Sequence, residues 1–525
     1  MRVPARSAWF VVWLGLGCGG SGPDSGEIPD ELDARPTSLV EERASRGDAE
    51  HRPGGGRFGR ARRFTNLTQP PEIDWPRPSH LVDFRGELFF AVDYRSGAPE
   101  GELWASDGSA RNTRRIQSFP PPYAVFNGID VAQVVGDTLY LTINHTEMYG
   151  EAWVSDGTTP GTVRLVDFPE PFGNSVTPVM PIRNRVYFIR TFQPSPFDPG
   201  FSELWSSDGS RPGTRRVVTL SEQSYAPTSA CQASTGDWAF FGLSDAATGN
   251  EPWISDGTPE GTHLLADLNP GPTGSTPCAG GNPPKALGDE VYFTRSREGE
   301  PELWATDGTA TGTRKVLEAP AKPLQVVKRH LYVVQHQPEG LALWKVRIRD
   351  GRDDAPEHAV TIPNAPGARF PSSVVSSLAV GGRLYLMLRA NDAEEGEPNG
   401  QLWVTDGSPR GTRLLHDTIT VRENAAPLIE RYDMLASGQH VLFGCHATGK
   451  GRELCITDGT PRGTGLLQDL DPGARSSSPH SFVCAGQHIH FVAHDAEHGY
   501  EVWKLRPHAG LHPSTSCVTS RQGQQ

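Results

Sequence analysis

Residues 302–313 read Glu-Leu-Trp-Ala-Thr-Asp-Gly-Thr-Ala-Thr-Gly-Thr, and variants of this stretch return about every 50 residues along the 525-residue chain. The aligned positions are Trp104, Trp153, Trp205, Trp253, Trp304, Trp344, Trp403, Cys455 and Trp503. The spacing is irregular only around Trp344. A fixed period of this length indicates a repeat architecture in which each unit is one supersecondary element. The chain therefore contains nine units rather than several ordinary domains.

Each unit contains four short strand-like runs. In the second unit these are residues 131–135, 138–143, 151–155 and 162–168, and the turns between them contain Gly, Asp and Asn. Short runs of this kind with no helical period predict an all-β fold. Four-stranded units repeated radially form a β-propeller. We therefore predict a single propeller of about nine four-stranded blades, with eight as the alternative count.

The two ends of the chain predict how the ring closes. The last unit stops after its third run, residues 501–505, whereas the first run of the chain is residues 62–67, Arg-Arg-Phe-Thr-Asn-Leu. That run matches fourth runs such as residues 215–220, Arg-Arg-Val-Val-Thr-Leu. An N-terminal strand that completes the last blade would remove an open sheet edge. The predicted propeller spans residues 62–505, followed by a C-terminal tail, 506–525.

The turn after each Trp has a physical rationale. Asp accepts hydrogen bonds from the backbone just downstream, and Gly adopts positive φ. The second glycine of the turn is replaced in the first unit by Asn112, a residue type that tolerates left-handed backbone. We therefore expect left-handed backbone at Gly161, Gly213, Gly261, Gly312, Gly411 and Gly463. The repeated Trp is interpreted as a packing aromatic between sheets, with ligand stacking as the alternative.

The N-terminus is typical of an export signal. Arg2 and Arg6 precede the apolar residues 8–17, which are too few to span a bilayer and end at Cys18. The segment resembles a bacterial lipoprotein signal, in which this Cys becomes the lipid-modified N-terminus. We expect residues 1–18 to be that signal and Cys18 to anchor the protein to a membrane. Ordinary secretion with Cys18 incidental is the alternative.

Residues 19–61 are poor in aromatics and rich in Gly, Pro and charged residues, which predicts a flexible, disordered tether. The expected location is the cell envelope, at the outer membrane or cell surface. Six cysteines remain after Cys18, and an even number in an exported chain suggests disulfides. Six cysteines allow fifteen connectivities. The repeat suggests Cys445 with Cys455, because Cys455 takes the Trp position and Cys445 lies on the strand that should pair with it. Cys231 with Cys278, in neighbouring units, and Cys484 with Cys517, which would pin the tail, are further candidate pairs.

Two groups of residues are candidates for metal binding. The first is a histidine cluster near Cys484, formed by His488, His490, His494 and His498. Imidazole nitrogens bind Zn²⁺ or Cu²⁺, but His490 also aligns with Tyr140 and Tyr385 and is alternatively a core aromatic. The second is the loop pattern Asp-x-x-x-Gly-x-Glu, at Asp245–Glu251 and Asp495–Glu501. Its carboxylates suit Ca²⁺, with a charged hairpin rim as the alternative. We predict no resident cofactor and keep Ca²⁺ or Zn²⁺ as the alternative.

The net charge of −13 disfavours a nucleic-acid partner, because phosphate binding needs a basic surface. The chain has no Gly-x-Ser-x-Gly, His-Glu-x-x-His, phosphate-binding glycine loop or Cys-x-x-Cys pattern. We therefore assign no catalytic residues. Catalytic groups that are scattered along the sequence would escape this search, so the enzyme question stays open.

On these residues the chain resembles the bacterial ELWxxDGT-repeat proteins. The resemblance covers residues 62–505, and seven of the nine units keep Asp-Gly-Ser/Thr. Unit six departs from it, since no turn directly follows Trp344, and the last unit lacks the turn. The resemblance implies an exported, repetitive surface protein and carries over no catalytic residues.

Two functions follow as hypotheses. The first is a surface-tethered binding or structural module that presents its loops to a protein or glycan partner. The alternative is an enzyme that acts on extracellular polymers, a hydrolase or lyase with its site in the propeller channel. Fold alone does not decide between them. The irregular unit six and the histidine-rich last unit are where a site would interrupt the repeat.

Overall fold

The computed structural model of the protein describes residues 58–67, 77–93, 101–119, 129–145, 149–169, 173–194, 200–225, 231–278, 283–297, 299–317, 321–348, 355–364, 372–390, 400–417, 419, 432–507 and 517–520. These residues form a β-propeller of nine blades in a ring, which confirms the predicted fold class and the count of nine. Their one helical element is the 3-10 turn Ala110–Asn112. Over the same ranges, no helix is long and apolar enough to cross a membrane.

The strands follow the repeat in chain order, beginning with β1 (Arg62–Arg63). Blade 1 contains β2 (Arg77–Phe84), β3 (Glu87–Asp93), β4 (Gly101–Ser106) and β5 (Arg114–Phe119). Blade 2 contains β6 (Ile129–Val135), β7 (Thr138–His145), β8 (Tyr149–Ser155) and β9 (Val163–Arg164). Blade 3 contains β10 (Asn174–Val176), β11 (Met180–Ile182), β12 (Arg185–Phe192), β13 (Gly200–Ser207) and β14 (Arg215–Tyr225). Blade 4 contains β15 (Gln232–Ser234), β16 (Ala239–Asp245), β17 (Gly249–Ser255) and β18 (His263–Leu264). Blade 5 contains β19 (Lys285–Leu287), β20 (Glu290–Arg297), β21 (Glu300–Thr306) and β22 (Arg314–Lys315). Blade 6 contains β23 (Lys322–Val327), β24 (His330–Gln337), β25 (Gly340–Arg347) and β26 (Glu357–Pro363).

Blade 7 contains β27 (Ser373–Val380), β28 (Arg383–Arg389), β29 (Gly400–Thr405) and β30 (Arg413–His416). Blade 8 contains β31 (Met434–Ser437), β32 (His440–Ala447), β33 (Gly451–Thr457) and β34 (Gly465–Gln468). Blade 9 contains β35 (His480–Ala485), β36 (His488–Asp495) and β37 (Gly499–Leu505), and β1 is its fourth strand. The last strand is β38 (Cys517–Thr519). Within each blade, consecutive strands are antiparallel neighbours, except that β10 and β11 of blade 3 both pair with β12. The first strands of adjacent blades contact one another, as β2 does with β6 and β35, which places them around the central channel.

The ring closes as the sequence predicted. Strand β1 pairs with β37, with Arg62 opposite Lys504 and Arg63 opposite Trp503. The backbone N–H of Phe64 donates to the carbonyl of Val502 at 3.2 Å. An N-terminal strand therefore supplies the fourth strand of the last blade and covers the outer edge of β37.

The folded region extends beyond the predicted boundaries at both ends. Phe58, assigned to the tether by its polar surroundings, forms a bridge with Pro507 and is only 7% exposed. It packs in the apolar cluster between blades 8 and 9. Ala61 is buried in the same cluster, so the tether prediction fails from Phe58 onward because this aromatic finds an interblade core. Residues 1–57, including Cys18, lie outside the described residues.

The hydrophobic core lies between neighbouring sheets. Between blades 1 and 2, for example, Phe84 and Phe89 pack with Leu139 and Leu141. The repeat's Trp153 is half-buried against this cluster, with its ring 5.1 Å from that of Phe119. Burying an apolar side chain of this size stabilises a fold by roughly 2–3 kcal/mol. The repeated Trp is thus an interblade packing residue.

The six cysteines among the described residues form three disulfides, Cys231–Cys278, Cys445–Cys455 and Cys484–Cys517, which are the three candidate pairs of the sequence. Their Cα–Cα separations are 5.5, 5.8 and 6.3 Å. Disulfides persist in oxidising compartments, so these three are typical of an extracellular or periplasmic protein.

Candidate functional site

The ring has two unlike ends. The turn face carries the Asp-Gly-Ser/Thr turns and the hairpins between first and second strands. The loop face, at the opposite end, is where second strands lead to third strands and fourth strands lead to the next blade. The repeat's aspartates stabilise the turns of the turn face, whereas some of its glutamates hold segments of the loop face.

On the turn face, the polar residues of the repeat hold the turn itself. Asp156 Oδ1 accepts from Thr158 N at 2.8 Å and from Thr158 Oγ1 at 2.7 Å. These hydrogen bonds hold the pKa of Asp156 below its ordinary value. Ser155 Oγ and Thr162 Oγ1 are 2.7 Å apart and link the start and end of the turn. The same bonds recur at Asp208, Asp256, Asp307, Asp406 and Asp458. The turn motif is therefore structural.

The expectation for the second glycine of the turn is wrong. Left-handed backbone occurs at the first glycine, such as Gly157 with φ of 94°, whereas Gly161 is not among the residues with positive φ. Glycine is required at Gly161 for space, because a Cβ there would lie 2.0 Å from Asp156 Oδ1. In the first unit, Asn112 instead donates from Nδ2 to Asp107 Oδ2 at 2.6 Å.

The first glycine of each turn also joins blades. A Cβ at Gly407 in blade 7 would lie 2.1 Å from the hydroxyl of Tyr332 in blade 6. Gly209 lies over Tyr140 in the same way. This close approach of backbone to an aromatic of the preceding blade explains why the turn takes a residue without a side chain.

The Glu two residues before the Trp has two roles. In blades 1, 2, 3 and 5 it accepts from the indole N–H, as Glu203 does from Trp205 at 3.0 Å. Its second partner is a cation of the fourth strand, as Arg216 is for Glu203 at 2.9 Å. Here the Glu and its cation fix the Trp against the core.

In blades 4, 8 and 9 the same Glu holds the loop face. Glu251, Glu453 and Glu501 are each 0% exposed. Glu453 accepts from Leu470 N at 2.7 Å and from Ser477 N and Oγ at 2.9 and 2.7 Å. Burial raises the pKa of Glu453 to about 7. Each carboxylate fixes the segment that leaves the fourth strand, and we call these three residues the glutamate clamps.

The sequence carried a signal for the clamps that was missed. The Asp-x-x-x-Gly-x-Glu loops of blades 4 and 9 end in the clamp residues Glu251 and Glu501. Asp-Leu-x-Pro-Gly follows the blade 4 clamp at residues 267–271 and the blade 8 clamp at residues 469–473. In blade 9 the clamp holds the N-terminal segment, since Glu501 accepts from Thr65 Oγ1 and, at 2.7 Å, from Leu67 N.

The aspartates of these loops cap their own turns. Asp245 Oδ1 accepts from the backbone N–H groups of Ala247 and Thr248 at 2.7 and 3.0 Å. Asp495 Oδ1 does the same for Glu497 and His498. Across the residues that the structure describes, no group of three or more His, Cys, Asp or Glu is arranged to hold a metal ion.

The structure does not bring together the four histidines proposed as metal ligands. His488 and His490 lie 5.8 Å apart at the turn-face end of β36, whereas His494 and His498 lie at its loop-face end. Four residues of strand, from His490 to His494, span about 13 Å. The neighbouring Cys484 is in a disulfide and offers no thiolate.

His490 is a core aromatic. Its ring lies 5.5 Å from that of Phe64 and packs under Gly108, the first glycine of the blade 1 turn. Burial lowers the pKa of His490 to about 3. It therefore takes the place that Tyr140 and Tyr332 hold in other blades.

One cluster on the loop face brings side chains from several segments together, and we call it the Tyr500 cluster. The Tyr500 ring lies 6.0 Å from His480 and 5.2 Å from His494, and the Arg77 guanidinium lies 5.9 Å from its centroid. Arg77 begins the first strand of blade 1, and His480 begins that of blade 9. Burial lowers the pKa of His494. The cluster combines an aromatic ring, two imidazoles and a guanidinium at the junction of two blades.

The segment beside the Tyr500 cluster is fixed by a clamp. Glu453 holds Leu470 and Ser477, which flank Asp471 and Arg475. Arg475 Nε lies 3.1 Å from Asp471 Oδ2, and its side chain is 65% exposed. On the other side, Arg63 lies 3.7 Å from Asp495. Charged groups therefore flank the cluster on a frame held by buried carboxylates.

Comparisons with known proteins show no assigned relative. No family model matches the chain, and no curated protein matches it. Similar solved structures include a puromycin hydrolase (14% identity, TM-score 0.38, 83% of this chain and 61% of that one). They also include prolyl oligopeptidase B from Galerina marginata with a 35mer substrate (11%, 0.40, 80% and 55%) and Pyrococcus horikoshii acylaminoacyl peptidase (8%, 0.37, 80% and 59%). This chain thus spans less than two thirds of their length, and its fold assignment rests on its own strand order.

Proposed function

We propose that this protein is an exported, lipid-anchored member of the ELWxxDGT-repeat proteins whose propeller is a binding module. Its loop face would present the Tyr500 cluster, through its half-buried Arg77 and His494, to a protein or glycan of the cell envelope. The N-terminal signal ending at Cys18 supports the anchor, and the three disulfides support export. A lipid anchor followed by a tether would hold the ring at a membrane surface.

The observation that carries the proposal is the assembly of the Tyr500 cluster on a clamped frame. Arg is enriched at the energetic centres of interfaces, and Arg77 is the half-buried arginine of this cluster. The clamps Glu453 and Glu501 fix the segments on either side of the cluster before any partner arrives. A surface that is ordered in advance loses less conformational entropy on binding. This favours recognition over a purely structural role.

The chemistry of the cluster suits both classes of partner. Tyr500 and His480 are buried, at 7% and 3% exposed, and support the half-buried Arg77 and His494, which offer hydrogen-bonding groups. The net charge of −13 argues against nucleic acid. The channel enzyme remains the alternative hypothesis.

The test uses lipid-free protein that begins at residue 19 on a glycan array and on intact cells with and without protease shaving. A glycan partner predicts array binding that survives shaving, and a protein partner predicts cell binding that shaving removes. The Arg77→Ala variant should lose at least tenfold in either signal. The matched control is Arg216→Ala, which removes a 57% exposed arginine on blade 3. Absence of binding in both assays would overturn the proposal.

A further inference from the structure

The C-terminal strand β38 lies inside the ring. It pairs antiparallel with β31, the first strand of blade 8, with Ala436 opposite Val518 and Ser437 opposite Cys517. Because β32 occupies the outer side of β31, β38 occupies the channel side. Within the described ranges, β31 is the one first strand that carries another strand on its channel side.

The pairing continues through Ser520. Its backbone N–H donates to the carbonyl of Met434 at 2.9 Å, and its hydroxyl accepts from the N–H of Met434 at 3.0 Å. Ser520 is 4% exposed. An inner strand edge of this propeller thus has the donors and acceptors to hold an extended chain.

We propose that the inner edge of β31 is a binding site for an extended polypeptide segment, and that the protein's own C-terminal strand occupies it while Cys484–Cys517 is oxidised. Adding a strand to an exposed sheet edge is a common mode of peptide recognition. The site lies in the channel and is independent of the Tyr500 cluster. Its ligand is an extended segment with the pattern of residues 517–520, including a hydroxyl residue at the position of Ser520.

The disulfide controls this occupancy. The β38 strand has three residues, and Cys484–Cys517 ties it to β35 of the neighbouring blade. A covalent tether keeps the effective concentration of the strand at its site high, so a free peptide competes poorly. Opening the bond lowers that concentration and leaves only the short pairing.

Reduction would open this bond before the buried one. Cys484 and Cys517 are both half-buried, whereas Cys445 and Cys455 are 1% and 0% exposed. Thiol–disulfide exchange requires access of a thiolate to sulfur. A dithiol reductant attacks one sulfur of Cys484–Cys517, the S–S bond breaks, and the departing thiolate takes a proton. The second thiol of the reductant then resolves the mixed disulfide, so the dithiol is oxidised as both cysteines are reduced.

The test measures fluorescence anisotropy of a labelled peptide with the sequence of residues 514–522 and Cys517→Ser. The full mature chain is compared with its variant Cys484→Ser/Cys517→Ser/Ser520→Pro. Proline at position 520 removes the N–H that donates to Met434, so the variant's own strand leaves the edge. We expect the variant to bind the peptide at least tenfold more tightly than the oxidised wild type.

Two controls define the site. A peptide with Ser520→Pro should not bind either protein. The variant Cys484→Ser/Cys517→Ser/Val518→Ala keeps the N–H of residue 520 and changes a side chain that is 37% exposed, so it should bind the peptide less than the proline variant does. Absence of peptide binding to the folded proline variant, or equal binding to the oxidised wild type, would overturn the proposal.

A second measurement uses wild-type protein. Hydrogen exchange of residues 434–437 should accelerate at least tenfold when a dithiol reduces Cys484–Cys517, while residues 453–457 keep their protection. If the proline variant fails to fold, this measurement tests by itself whether reduction releases β38 from β31. Unchanged protection at Met434 after reduction would contradict the proposal.

Discussion

Glu453 and Ser477 lie 24 residues apart, and the buried carboxylate of Glu453 accepts hydrogen bonds from both the backbone N–H and the hydroxyl of Ser477. Glu251 accepts from the hydroxyl of Ser275 at the same separation. This contact turns a repeat residue into a clamp on the loop face. It links the regular scaffold to the segment beside the Tyr500 cluster, where we place recognition.

The Glu453 clamp predicts a pH dependence of stability. The folded pKa is raised to about 7 from 4.5, so the unfolded chain releases this proton first as pH rises. Its contribution to the free energy of unfolding therefore falls between pH 4.5 and 7, by about 3 kcal/mol. Glu453→Gln should lack this slope in urea unfolding from pH 4 to 8.

The matched control for that measurement is Glu302→Gln in blade 5. Hydrogen bonds from Arg295 and Lys315 outweigh burial and lower the pKa of Glu302, so its titration lies below pH 4.5. Above pH 5, the free energy of unfolding of this control variant should change with pH in parallel with that of the wild type. Parallel curves for Glu453→Gln and wild type over the whole range would refute the clamp's predicted titration.

His490 predicts the opposite slope at lower pH. Its folded pKa is lowered to about 3 from 6.5, so the unfolded chain binds this proton first as pH falls. Stability from this group is complete above pH 6.5 and is lost toward pH 3, on the order of 4 kcal/mol. His490→Tyr, which restores the aromatic of other blades, should abolish this loss. Thermal unfolding from pH 3.5 to 7 measures it, with the exposed His263→Tyr as control.

Glycine at position 161 predicts a steric coupling. Gly161→Ala places a Cβ against the Asp156 carboxylate and should destabilise the protein by about 1–3 kcal/mol. In the double variant Asp156→Ala/Gly161→Ala the obstructing carboxylate is gone. The double variant should therefore lose less free energy of unfolding than the sum of the losses in the two single variants. Strict additivity in this double-mutant cycle would show that the glycine is needed for another reason.

The lipid anchor predicts a clear biochemical phenotype. Cells that express the full chain should incorporate labelled palmitate into the protein, which should sediment with membranes. Cys18→Ala should abolish both, because acyl chains supply the membrane affinity. A control substitution at Cys231 removes a disulfide cysteine and should leave the label. Labelled protein in the Cys18→Ala variant would show that acylation occurs at another residue and would contradict the assignment of Cys18.

Much of the scaffold was predictable because it repeats. The strand runs, the nine units and the complementary ends at residues 62–67 and 501–505 define local patterns that recur with fixed spacing. The Cys445–Cys455 pair followed from the same alignment, whereas the other two pairs were candidates among fifteen connectivities. Even the irregular unit of Trp344 forms a complete blade, because its strands keep their alternation although the turn is missing.

The site was less predictable because it depends on contacts distant in sequence. Glu203, which holds Trp205, and Glu453, which holds Ser477, occupy the same repeat position next to Leu, and only the Asp-Leu-x-Pro-Gly segment at residues 469–473 distinguishes them. The pairing of β38 with β31 joins three-residue segments about 80 residues apart, without a repeat to set the register. The four histidines do not form one metal site, because the four residues of extended strand from His490 to His494 place the two pairs about 13 Å apart.

The most direct test of the central claim, recognition through the Tyr500 cluster, is the binding of fluorescent lipid-free protein to intact cells. The half-saturation concentration should rise at least tenfold for Arg77→Ala relative to wild type and stay within twofold for Arg216→Ala. Equal half-saturation concentrations for all three folded proteins would contradict the account.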